Sequence, residues 1–125
     1  MNRFAVWTFI LGAIGACSQS YSPVEQGALT VRDTTDARAA DEINEFLNSH
    51  GYQTRTISSS PGDHKWYERD GSAFVEIEPD ANSCISFIAF VKAGSNATGE
   101  ARLISQRFFE HFAHKWQVER GHICG

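Results

Sequence analysis

Ser83 to Lys92 is the stretch that most limits what this chain can become. Ile85, Phe87, Ala89 and Val91 fall on one side of an extended backbone there, and Cys84, Ser86, Ile88 and Phe90 on the other. Strand side chains alternate between the two faces of a sheet, so a run that is apolar on both sides in its second half belongs in the middle of a sheet. A neighbouring hairpin lies just upstream, where Asp70-Gly71 separates His64 to Arg69 from Ser72 to Glu78. Asp-Gly suits a two-residue turn with positive φ at both central positions. That turn predicts Arg69 opposite Ser72, Tyr67 opposite Phe74, Trp66 opposite Val75 and Lys65 opposite Glu76. Trp66, Val75 and Ile77 are then assigned to the core, and Lys65, Tyr67, Phe74 and Glu76 to the open face, because the second set contains an opposite-charge pair.

Two segments have helical rather than strand periodicity. After the capping chemistry of Asp33-Thr34-Thr35-Asp36, apolar residues fall at Ala40, Ile43, Phe46 and Leu47, and Gly51 supplies a left-handed stop. Glu100 to Glu119 carries Ala101, Ile104, Phe108, Phe112 and Trp116 three or four apart and is predicted as one helix. Gly27 to Arg32 and Tyr52 to Ile57 are expected as short strands. Ser58 to Asp63, with Pro61-Gly62, is expected as a loop. The order of elements favours an α+β fold: a small, mainly antiparallel sheet of four to five strands with two helices packed on one face. Residues 27–125 are of a length for one domain rather than two.

Ahead of that domain, Met1-Asn2-Arg3 carries one positive charge, Phe4 to Ile14 is free of charge, and Gly15 and Ala16 are small. This is the layout of a secretory signal peptide, and the apolar run is shorter than the roughly 20 residues a spanning helix needs. Ile14-Gly15-Ala16-Cys17 resembles the lipobox of bacterial lipoproteins, a branched aliphatic residue, two small residues and a cysteine. The resemblance covers residues 1–17 alone and opens with Ile where the family more often has Leu. It implies that the leader, residues 1–16, is removed and that the Cys17 thiol takes a diacylglycerol, the new amino group usually being acylated as well. One acyl chain binds a bilayer reversibly, whereas two or three hold it stably at about 0.8 kcal/mol per buried methylene. Ser18, in place of Asp, resembles the pattern exported to the outer membrane of Gram-negative envelopes. The resemblance therefore implies a lipid-anchored envelope protein facing the periplasm, with the bilayer as a partner through acylated Cys17. The other reading is a soluble secreted protein cut after Ala16. Ser18 to Gln26 is polar, so residues 17–26 are expected to be a lipidated cysteine and flexible tether.

The 15 acidic residues outnumber the 11 basic ones, of which Arg3 would leave with the leader. With no run of Lys or Arg, nucleic acid is a poor partner. Cys84 and Cys124 remain after Cys17, and in an oxidising compartment they are most simply a disulfide, the other reading being one buried and one free thiol. His111 and His114 share a helix face, and with His122 and Cys124 they sketch a metal site, but ligand spacing of this kind is weakly specific and neither metal nor cofactor is expected. Glu76 and Glu78 imitate the carboxylate pair of a hydrolase, yet alternate carboxylates on a strand are usually only solvated. No nucleophile elbow, phosphate loop or zinc-protease motif is present, and no base lies beside Cys84, so an enzyme is not expected. What remains is the aromatic pair Tyr67 and Phe74 on a polar face, a surface suited to anchoring a partner. The expected function is a non-catalytic protein-binding module of the envelope that docks an assembly component or a toxin. A structural or metal-handling lipoprotein and a small cell-wall hydrolase are the alternatives.

Overall fold

The computed structural model describes residues 20–55 and 65–125. Its elements run β1 (Tyr21–Thr30), α1 (Asp36–Ser49), β2 (Gln53–Arg55), β3 (Lys65–Arg69), β4 (Ala73–Pro79), β5 (Cys84–Lys92), α2 (Thr98–Phe112) and β6 (Gln117–Arg120). The fold is α+β, with one six-stranded sheet in the order β2-β3-β4-β5-β1-β6 and every neighbour antiparallel. β5 lies between β4 and β1, where its two apolar faces require it to be. Ile85, Phe87, Ala89 and Val91 join the core beneath the helices, together with Ile43, Phe46 and Leu47 of α1 and Ile104, Phe108 and Phe112 of α2. On the reverse face Trp66, Phe74, Ile88 and Phe90 form a second cluster, against which Tyr21 and Ile123 pack.

α1 starts where its cap predicts: the Arg38 amide donates to Thr35 Oγ1 at 3.1 Å, and Gly51 ends the segment at φ +86°. Three expectations are corrected. The β3–β4 register is shifted by one residue, with Arg69 opposite Ala73, Tyr67 opposite Val75 and Trp66 opposite Glu76. Asp70 and Gly71 do adopt positive φ, but Ser72 is an extra residue whose carbonyl accepts the Lys92 amide of β5 at 3.0 Å. A slip of one residue exchanges the faces of a strand. Tyr67 therefore sits with Val75 and Ile77 under the helices, and Trp66 crosses to the reverse face.

The second correction concerns α2, which stops at Phe112. Ala113 to Trp116 make a turn in which the Trp116 amide donates to the Phe112 carbonyl at 2.9 Å and the Trp116 ring stacks on Phe112. Trp116 thus stays buried at a helical spacing after the helix has ended. Gln117 to Arg120 then pair with β1 as the sixth strand.

The third correction is to the tether. Tyr21 to Gln26 are strand, paired with Lys92 to Ile88 of β5, so the folded domain begins before Gly27. This half of β1 reads as polar because its outer edge is not paired with β6, which reaches only as far as Gly27. Pro23 sits at an irregularity in the register, where a missing amide costs least. The leader, Cys17, and the loop Ser58 to Asp63 lie outside the described residues. Among those described, no helix is long and apolar enough to cross a membrane.

Candidate functional site

A groove opens where the first turns of α1 pass over the sheet. Ala37, Ala40 and Ile43 recur on one side of the helix, and the two alanines are too short to close the space that Ile43, Phe46 and Leu47 fill further along. The resulting cavity is about 430 Å³, floored by Tyr67, Ile77 and Ile85 and rimmed by Asp36, Lys65 and Asp80. Its end wall is the turn from Asp80 to Cys84. There Asn82 and Ser83 hold φ of 62° and 59°, and the Ser83 carbonyl accepts the Val31 amide at 2.9 Å. Positive φ is uncommon outside glycine and carries local strain. A site of this size that combines an apolar floor with a few charged groups suits an inserted side chain or small ligand.

Tyr67 and Phe74 do not form the exposed patch assigned to them. They lie on opposite faces of the sheet, 1% and 2% exposed. Tyr67 donates its hydroxyl to Asn44 Oδ1 at 2.9 Å, and burial pushes its pKa up to about 12. Phe74 packs edge-on to Tyr21 with centroids 5.1 Å apart, and the Arg55 guanidinium lies 5.9 Å from its ring centre. The register slip is the physical cause of this separation.

Cys84 and Cys124 are bonded, with Cα atoms 6.0 Å apart. The bond draws the segment after β6 across the reverse face, where the Cys124 amide donates to Ser86 Oγ at 2.9 Å. With its sulfur so engaged, Cys124 does not join the histidines. His111 instead lies 4.9 Å from Phe46, while His114 and His122 are exposed. Among the described residues no group of three His, Cys, Asp or Glu side chains is placed to hold a metal ion. Glu76 and Glu78 share the face of β4 opposite the groove, and Glu76 is 1% exposed, opposite Trp66 on one side and Ile88 on the other. The groove itself gave no signal in the sequence, because it arises from the height of α1 above strands distant in the chain. No family model, curated protein or solved structure matches this chain.

Proposed function

We propose that the protein is a small membrane-anchored envelope lipoprotein, lipidated at Cys17, that acts as a non-catalytic protein-binding module.

 The groove beneath the first turns of α1 supports the binding part of this reading: its floor is apolar, and among the described residues its charged lining groups, Asp36, Lys65 and Asp80, stand at its rim. A partner fits it by seating an apolar side chain on Ile77 and Ile85 and presenting a basic group to Asp36, in keeping with the acidic balance of the chain. The partner classes that suit an envelope protein of this kind are an assembly component or a toxin it neutralises. The Cys84–Cys124 bond is consistent with an oxidising compartment. A hydrolase reading lacks comparable support, since Glu76 and Glu78 lie on the other face of β4 from the groove.

The anchor is tested by feeding cells a labelled fatty acid, which is expected to mark the native chain and not Cys17→Ser. The groove is tested separately with a photo-crosslinking residue in place of Ala37, on the groove, or Glu119, on the exposed strand β6. A discrete adduct from position 37 and none from 119 is expected in intact envelopes. Equal patterns, or no adduct at either position, would count against the groove as the binding surface.

A further inference from the structure

The corrected start of the fold fixes how the domain stands on its anchor, an inference that rests on the lipidation of Cys17 proposed above. β1 begins at Tyr21, and the Ser20 carbonyl already accepts the Ala93 amide at 2.9 Å. Only Ser18 and Gln19 separate Ser20 from Cys17. Three Cα steps span at most about 11 Å. The headgroup layer on one side of a bilayer takes up roughly 6 Å of that reach. Too little chain is left for the domain to lift away or turn over.

The strand register then says which parts of the molecule lie at that end. Tyr21 is opposite Lys92, and Ala73 is opposite Val91. The Lys92 amide ties in the β3–β4 turn through the Ser72 carbonyl, and Ala93 leads into the loop before α2. The same pole carries Arg69, which bridges to Glu100 at 3.1 Å and Asp70 at 3.8 Å. At the other end of β1, Thr30 is opposite Cys84, which lines the groove. The ten residues of β1, nine steps or about 30 Å end to end, separate the two poles.

We infer that the pole formed by Tyr21, the turn Arg69 to Ser72 and the loop Ala93 to Ala97 rests on phospholipid headgroups, and that the groove faces away from the bilayer. The surface suits zwitterionic headgroups, because Arg69 and Lys92 are interspersed with Asp70 and Glu100 and form no basic cluster. Its consequence is that a partner reaches the groove from the aqueous side.

The test uses the lipidated full chain in vesicles of phosphatidylethanolamine and phosphatidylglycerol that carry a headgroup quencher. A fluorophore is attached at Asn96→Cys, in the loop before α2, or at Ala81→Cys, beside the groove. Quenching severalfold stronger at position 96 than at 81 is expected, and a Gly-Ser spacer of about ten residues after Gln19 should erase the difference. Equal quenching at both positions in the native-length chain, or a difference that survives the spacer, would overturn the orientation. Mass spectrometry of the same preparation separates the two readings. An acylated chain with equal quenching defeats the orientation alone, and a chain without acyl groups defeats the anchor and the orientation together.

Discussion

Tyr67 and Tyr52 are both buried at 1% exposure, yet their hydroxyls are held differently. Tyr67 donates to Asn44 Oδ1, which also accepts from Thr54 Oγ1 at 3.3 Å, so one side chain of α1 is fastened to β2 and β3 together. No hydrogen bond is made by the Tyr52 hydroxyl among the described residues. Tyr67→Phe is therefore expected to lower stability by about 1 kcal/mol at neutral pH, while Tyr52→Phe stays within roughly 0.5 kcal/mol of the native chain. Both phenols share a second property. Burial raises each from 10.0 to about 12, with Glu100 adding to the rise at Tyr52. Below pH 10 both states keep the proton and this contribution is fully present. As pH rises from 10 toward 12 the unfolded chain releases protons that the folded chain retains, and stability falls by an amount on the order of 3 kcal/mol for each tyrosine. Urea titrations across that range should show a shallower fall for each Phe variant. An unchanged slope in the double variant would mean that neither phenol is desolvated as described.

The packing of α2 on β1 depends on a missing side chain. A Cβ at Gly27 would collide with Cζ at the tip of the Phe109 ring, which is also flanked by Phe87, Phe108 and the Arg120 guanidinium of β6, 5.5 Å from the ring centre. Gly27→Ala is expected to cost about 1–3 kcal/mol by overpacking. In a Phe109→Leu background that cost should shrink, so a double-mutant cycle in urea would return a coupling energy; strictly additive losses would contradict the contact. Nothing in the sequence around Gly27 announces this approach, since it joins residues 82 positions apart. Elements whose signal is local were legible. β5 declared its central place through two apolar faces, and α1 its start through Thr35 and its end through Gly51. The β3–β4 register was not legible, because an Asp-Gly turn serves equally well with one more residue after it, and the adjacent Trp66 and Tyr67 give no preference for which ring faces the core. That ambiguity also misplaced the candidate site. Tyr21 to Gln26 imitated a tether because a strand paired on one edge can be as polar as a linker. The groove depends on the shortness of Ala37 and Ala40 against strands far away in the chain, so no local pattern could reveal it.

For the molecule as a whole, the Cys84–Cys124 bond is the main covalent constraint among the described residues, and it was legible from the cysteine count together with the oxidising compartment that the leader led us to expect. It closes a separation of 40 residues that contains β5, α2 and β6. In the chain-entropy treatment a loop of that length is worth about 4 kcal/mol, a large share of the roughly 5–15 kcal/mol that holds a typical domain folded. The bond also has a local role in the folded state: it keeps Ile123 against Trp66, Phe74, Ile88 and Phe90 on the face the helices leave uncovered. The two contributions separate experimentally. Cys84→Ser/Cys124→Ser is expected to lose about 4 kcal/mol in urea titrations if the constraint on the unfolded chain dominates. Shortening Ile123 to Ala with the bond intact should cost about 1–3 kcal/mol, because Ile123 is only partly buried and forfeits part of a full core penalty. If the cysteine variant lost no more than Ile123→Ala, the bond would act only by holding that side chain in place. A loss near 4 kcal/mol would show that a domain this small relies on the cross-link for a margin its two apolar clusters do not supply, and it would tie the fold to an oxidising compartment independently of the anchor.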